Sequence, residues 1–245
     1  MITNSQSNTR VDEVASGIYR IRTPSTKLPG GFSFNQYLVV DDAPLLFHTG
    51  PRGMFPLVRE AVAAVLPVER LRYVAFSHFE NDECGALNLL LAAAPTAEPL
   101  CGRINGMING DAFDRPPRVL KDGETLALGT HAVRWIDTPH LPHAWECGYL
   151  FEAGTRTLLC GDLFTQPGTG DAALTESDIL GPSETMRAGL DYYAHTRDTR
   201  ALLERVAVLK PTTLACMHGS AWRGDGAALL RALADRLSAS PASSA

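Results

Sequence analysis

The chain has 245 residues, 45% of them hydrophobic and 20% charged, which is enough for one large globular domain with an ample core. Its 22 basic and 27 acidic residues leave a net charge of −5, recommending neither a nucleic acid nor an anionic membrane as partner. No apolar stretch approaches the roughly eighteen residues of a membrane span, and residues 1–10 lack the apolar centre of a signal peptide, so a cytoplasmic protein is expected.

Residues 1–12 read as a loose tail, residues 13–237 as a single domain and residues 238–245 as a frayed C-terminal tail. Residues 17–21, 36–40 and 44–47 read as strands. His48-Thr49-Gly50 closes the third, and His48 reads as an ordinary loop histidine. Residues 54–66 form a helix by pattern, since Met54, Val58, Ala61, Val62 and Val65 share a face. Residues 71–76 are almost continuously apolar, as a strand covered on both faces would be.

That strand opens into Ser77-His78-Phe79-Glu80-Asn81-Asp82-Glu83-Cys84-Gly85, with one imidazole and three carboxylates in six positions. His78, Glu80 and Asp82 alternate, so an extended backbone puts them on one side. Glu83 reaches the same centre only if the chain turns there. Groups this close repel one another unless a cation joins them. The plainer alternative is an acidic helix start, with Asn81 or Asp82 as cap and Glu83 favoured by the helix dipole; the stretch alone leaves both open.

Residues 86–94 suit a buried helix ended by Pro95, residues 98–101 a short strand, and residues 106–113 a helix or loop. Two hairpins follow, one pairing 125–128 with 131–136 and one pairing 147–152 with 157–160. His131 is expected at the surface. Residues 166–182, rich in Gly, Asp and Thr, read as a long loop that could lie over a pocket. Residues 184–206 are helical with a polar break at 195–200, residues 212–216 form a strand and residues 226–237 a helix. Cys84, Cys101, Cys147, Cys160 and Cys216 include no Cys-x-x-Cys pair and are odd in number. They read as small buried fillers, with neither a disulfide framework nor a structural zinc site indicated.

Further chemistry-bearing residues end strand-like segments: His140 and His143 in Thr138-Pro139-His140-Leu141-Pro142-His143-Ala144-Trp145, Asp162 after residues 158–161, and His218 after residues 214–217. Strand C-terminal ends are where open α/β sheets gather ligand sites. In this order the sequence resembles the metallo-β-lactamase superfamily, and within it the oxygen-binding di-iron and flavodi-iron branch. There His-x-Glu-x-Asp-His replaces the hydrolase signature His-x-His-x-Asp-His. His78-x-Glu80-x-Asp82 matches the di-iron form through its third ligand, and His143, Asp162 and His218 fit the later ones, with eighteen residues between His143 and Asp162. Both patterns have His where this chain has Glu83.

The resemblance covers most of the chain and implies an α/β fold, an αββα sandwich of the metallo-β-lactamase type. It implies that His78, Glu80 and His143 bind one metal, that Asp82 and His218 bind a second, that Asp162 bridges, and that Glu83 occupies the second metal's remaining ligand position. His140 is then a hydrogen-bond partner or pocket wall, and Trp145 with one tyrosine, taken as Tyr193, lines the pocket. So oxygen-rich a donor set suits iron, with manganese or zinc as alternatives. The implied function is a non-haem di-iron protein binding dioxygen or nitric oxide, with electrons from a separate flavoprotein or iron–sulfur protein, and homodimerisation as in flavodi-iron relatives. The alternative is a metal-dependent hydrolase of a thioester, lactone or phosphoester.

Overall fold

The computed structural model describes residues 1–238. Eight strands form a first sheet whose spatial order follows the chain: β1 (Ile2–Asn4), β2 (Thr9–Ala15), β3 (Ile18–Ser25), β4 (Phe32–Val39), β5 (Leu45–Phe47), β6 (Tyr73–Ala75), β7 (Glu98–Gly102) and β8 (Arg118–Leu120). Seven form a second: β9 (Thr125–Ala127), β10 (Ala132–Asp137), β11 (Gly148–Glu152), β12 (Thr157–Leu159), β13 (Leu174–Thr175), β14 (Thr213–Ala215) and β15 (Ala221–Arg223), in the order β13-β15-β14-β12-β11-β10-β9. The helices are α1 (Phe55–Ala63), α2 (Asn81–Cys84), α3 (Leu87–Ala93), α4 (Arg103–Asn109), α5 (Leu180–Leu190), α6 (Thr199–Ala207) and α7 (Gly226–Ser238).

The period of two along each strand builds the layers. In β4, Leu38 joins a cluster with Val58 and Val62 of α1 and Leu90 of α3, while Tyr37 and Val39 face the other way. In β6, Val74 faces the helices and Tyr73 and Ala75 face inward. The second sheet mirrors this. Leu158 and Leu214 pack with Leu203 of α6 and Leu230 of α7, whereas Leu159 and Ala215 meet Phe47, Leu100 and Trp135 in the cluster shared by the two sheets. Helices, sheet, sheet, helices: the chain is an αββα sandwich.

From β5 to β8 the first sheet is parallel, and the crossovers carry α1 to α4. In the second, β12 pairs in parallel with β14 across α5 and α6. The C-terminal ends of these parallel strands, together with the β10–β11 connection, carry the candidate site.

The N-terminal segment expected as a loose tail is instead β1 and much of β2. The β2 strand pairs with β3 from Arg10↔Arg22 to Ala15↔Ile18 and buries Val11 and Val14. Ser238 is the last residue of α7, and residues 239–245, also expected to fray, lie outside the described residues. The helical stretch 184–206 is two helices, the turn between them beginning at Asp191 in the left-handed conformation (φ 47°). The loop at 166–182 contains β13 and packs beside the first sheet, where buried Arg20 donates to the carbonyls of Gly170 (2.8 Å) and Ala172 (3.2 Å). Its backbone therefore has partners an open loop would lack. No helix among the described residues is long and apolar enough to cross a membrane.

Candidate metal centre

His78, Asp162 and His218 each lie three residues past the last residue of a buried strand, β6, β12 and β14 respectively. The first sheet thus delivers one group and the second two to the same point by the same local route. His143 comes from the β10–β11 connection, a tight segment with positive φ at His140 and Ala144 and a cis Leu141–Pro142 bond. The turn anticipated after Asp82 is α2, and it swings Glu83 inward. Glu83 is fully buried, while the Glu80 side chain remains 49% exposed.

Seven residues converge. Nε2 of His78 lies 3.7 Å from Oε1 of Glu80, 3.8 Å from Oε2 of Glu83 and 3.6 Å from Oδ2 of Asp162. Nε2 of His143 lies 2.9 Å from Nε2 of His78, 3.1 Å from Oε1 of Glu80 and 3.6 Å from Oδ2 of Asp162. On the other side, Nε2 of His218 is 3.5 Å from Oδ2 of Asp82 and 3.4 Å from Oδ1 of Asp162. Three groups among the described residues have the spacing to hold a metal ion: His78, Glu80 and His143; His78, Glu83 and Asp162; and Asp82, Glu83 and His218.

The imidazoles are oriented from behind. Nδ1 of His143 is 2.9 Å from the Tyr192 carbonyl, and Nδ1 of His218 is 2.8 Å from the Ser33 carbonyl. A carbonyl only accepts, so each Nδ1 carries a proton and Nε2 is the ring nitrogen turned to the centre. Nδ1 of His78 meets Oγ of Ser77 at 2.9 Å. Phe32 stacks on His218 with ring centroids 4.2 Å apart.

The carboxylates are set against their surroundings. Neither oxygen of Glu83 nor Oδ1 of Asp162 has a hydrogen-bond partner, although all three are buried. Burial, reinforced by the charge of Asp162, pushes the Glu83 carboxyl well above the usual carboxylate range. Burial works in the same sense on Asp162, but its contacts with His218 and then the charge of His78 outweigh it and hold Asp162 ionised. Three buried carboxylate oxygens without hydrogen-bond partners, close to the imidazoles of His78, His143 and His218, form a site a cation relieves. The residues present therefore fit metal ions.

Several expectations need adjustment. Tyr193 is buried in the core of the second sheet with its helices, and it is Tyr192 whose ring faces His143, centroids 6.2 Å apart. Trp145 is half exposed; His140, not expected as a ligand, belongs to none of the three groups. His131, expected at the surface, is largely covered, with Nδ1 3.2 Å from Oε1 of Glu152. His48 is no ordinary loop residue. It is fully buried, with Nε2 3.0 Å from Oγ of Ser77, and burial pushes its imidazole down to about 3. Ser33, missed in the sequence, and Tyr192, weighed there only as an aromatic ring, act through backbone carbonyls, which leave no side-chain signal. Two clefts flank the centre. One of about 300 Å³ is lined by Arg52, Phe79, Glu80 and Phe113. The other, of about 680 Å³, is lined by Leu28, Phe32, Phe34, Met54 and Asp82.

Comparison with known proteins finds relatives of similar sequence and fold. Rubredoxin-oxygen oxidoreductase of Megalodesulfovibrio gigas is 28% identical over 211 residues, covering 81% of this chain and 51% of that protein. Nitric oxide reductase of Moorella thermoacetica is 25% identical over 224 residues, covering 86% and 55%. The chain thus spans about half the length of these curated relatives. Among solved structures, a fragment of putative diflavin flavoprotein A 5 from Nostoc sp. superposes with a TM-score of 0.82 at 22% identity, covering 94% of this chain and 96% of that one. The flavodiiron protein from Giardia intestinalis superposes at 0.78 and 20% identity, covering 93% and 59%. The fold is that of the flavodiiron core. The family model described as ODP family beta lactamase matches residues 32–219, most of the chain and all seven converging residues, and the chain belongs to that family.

Proposed function

We propose that this chain is a non-haem di-iron protein that binds dioxygen or nitric oxide and reduces it with electrons from a separate flavoprotein or iron–sulfur protein. The observation that carries this reading is the pairing of donors. His78, Glu80 and His143 frame one position, Asp82, Glu83 and His218 frame another, and Asp162 turns one oxygen to each. Three imidazoles with four carboxylates make an oxygen-rich set, which suits iron better than zinc. The names of the relatives, an oxygen oxidoreductase and a nitric oxide reductase, support the same choice of gases.

Bound iron would supply the one-electron chemistry that reduction of either gas requires. The chain's own residues do the rest. The carbonyls of Tyr192 and Ser33 fix two imidazole tautomers before any ion arrives. The exposed Glu80 edge and the two flanking clefts leave the centre open to a small molecule and to the approach of a donor. Five buried free cysteines suit the reducing, cytoplasmic compartment in which such a donor would be found. Homodimerisation is the assembly the resemblance implies.

Metal analysis after purification without oxygen tests the reading. Close to two irons per chain are expected, with a new absorption band when the reduced protein meets oxygen and none from apo-protein. A protein supplied with iron that holds only zinc and rapidly hydrolyses a generic ester, its spectrum unchanged by oxygen, would instead be a metallo-hydrolase.

A further inference from the structure

Behind His78 runs a short buried chain of polar atoms. Nδ1 of His78 meets Oγ of Ser77 at 2.9 Å, and the same oxygen meets Nε2 of His48 at 3.0 Å. All three residues are buried, His48 and His78 completely. Gly161 leaves space for this hydroxyl on a third side: a Cβ there, where φ is 52°, would stand 2.8 Å from Oγ.

His48 itself is held unfavourably. Its φ is 68°, in the left-handed region that suits few side chains, and its Nδ1 is buried with no partner. Backbone strain together with an unpaired polar atom at one residue points to a role at a neighbouring site. The segment it starts also grips the rest of the centre. The amide and hydroxyl of Thr49 both donate to the Glu83 carbonyl, at 2.7 and 3.2 Å, and the Ala86 amide donates to the Gly50 carbonyl at 3.1 Å.

We infer that His48 is a positioning residue which, through Ser77, fixes the tautomer and ring plane of His78. The inference rests on the assignment of His78 as a metal ligand. The proton order follows from the contacts. Nε2 of His78 faces the centre, so its Nδ1 carries the proton and donates to Oγ of Ser77. The Ser77 hydroxyl then donates onward to Nε2 of His48, and His48 keeps its own proton on Nδ1. Removing either link frees His78 to rotate or to change tautomer, and outer partners of this kind are commonly worth 10–100-fold in metal affinity.

The test compares wild type, Ser77→Ala, His48→Asn and the double variant. Asparagine tolerates the left-handed backbone but is too short to reach Ser77. Affinity for ferrous iron is measured anaerobically by chelator competition, and the melting temperature of each metal-free protein is recorded beside it. Ser77→Ala should weaken iron binding by about 10–100-fold, His48→Asn by about tenfold, and the double variant no more than Ser77→Ala alone, because the two act in series. If His48→Asn lowers only the metal-free melting temperature and leaves affinity within about twofold, or if the losses multiply, the inference fails. Should His48→Asn not fold, long-range ¹H–¹⁵N spectra of the zinc-loaded wild type decide. Both His48 and His78 are expected with the proton on Nδ1, and a His48 proton on Nε2 overturns the chain. A wild type that binds no metal refutes the assignment of the site, whereas a metal-binding wild type matched by its variants refutes only the role of His48.

Discussion

Asp162 divides its carboxylate between two histidines from different sheets, with Oδ2 3.6 Å from Nε2 of His78 and Oδ1 3.4 Å from Nε2 of His218. An amide has one good acceptor and one donor, so it bridges two cations poorly. Asp162→Asn should therefore lose at least one iron per chain and leave a single occupied position. Retention of two irons, measured on protein reconstituted without oxygen, would show that Asp162 does not bridge.

His143 and His140 stand three residues apart in one tight loop, yet only His143 has Nε2 in the centre and Nδ1 on a carbonyl. His143→Asn should strip iron from the position framed by His78 and Glu80. His140→Asn should leave iron content nearly intact. The opposite pattern would reverse the two assignments.

Glu83 allows a test in which two quantities move in opposite directions. Its carboxyl is fully buried with neither oxygen partnered, a burden on the metal-free protein that a cation would relieve. Glu83→Gln keeps the shape and removes the ionisable group. It should raise the metal-free melting temperature while weakening iron at the position framed by Asp82 and His218. Glu83→His, which supplies a neutral donor, should keep two irons and raise the reduction potential. If Glu83 served only the helix dipole of α2, worth about 0.3–1 kcal/mol, Glu83→Gln would slightly lower the melting temperature and leave iron alone.

The positions of His78, Asp162 and His218 were legible because each follows a buried apolar strand, a pattern written in side chains. What holds them was not. Ser33 and Tyr192 act through carbonyls, and the contact of His48 with Ser77 spans 29 residues. Local pattern has no access to such tertiary partners. Tyr192 and Tyr193 are adjacent, and which of them turns to the site depends on how the α5–α6 connection docks, through the bond from the Ala194 amide to the Pro142 carbonyl (2.6 Å). The N-terminal strands escaped notice because β2 carries only Val11 and Val14 as large apolar residues. Its order comes from pairing with β3, which propensity does not record.

The five thiols should be silent in the native protein. All are buried, and burial pushes the Cys84 and Cys101 thiols up to about 12, far from the thiolate form that reacts. A thiol reagent at neutral pH should find close to none before unfolding and all five after it. Rapid labelling of the native metal-free protein would mean that one of these sites opens.

Acid should also act at a group remote from the candidate metal centre. Glu152, fully buried at the end of β11, accepts from the Gly154 amide (2.9 Å), the Thr155 amide (2.7 Å) and the Thr155 hydroxyl (2.5 Å), with Nδ1 of His131 at 3.2 Å from Oε1. Burial alone would raise its carboxyl, but these donors outweigh burial and hold it below its ordinary value of 4.5. A depressed carboxyl contributes stability that is present in full above the unfolded value and lost as pH falls through the folded one. Glu152→Gln replaces an ionised acceptor with a neutral amide whose NH₂ faces donors. At pH 7 it should cost about 2 kcal/mol, a melting-temperature drop of roughly 4–8 °C at this chain length. The gap should narrow as the pH is taken below 4.5, where the unfolded chain binds the proton first, and close towards its neutral remainder once the pH passes the lower folded value and the wild-type carboxyl is protonated as well. The melting temperatures should be compared on metal-free protein, so that proton competition at the seven-residue centre does not enter. A gap that stays constant from pH 7 down to pH 3 would mean that the charge of Glu152 contributes nothing and that the loss comes from packing alone.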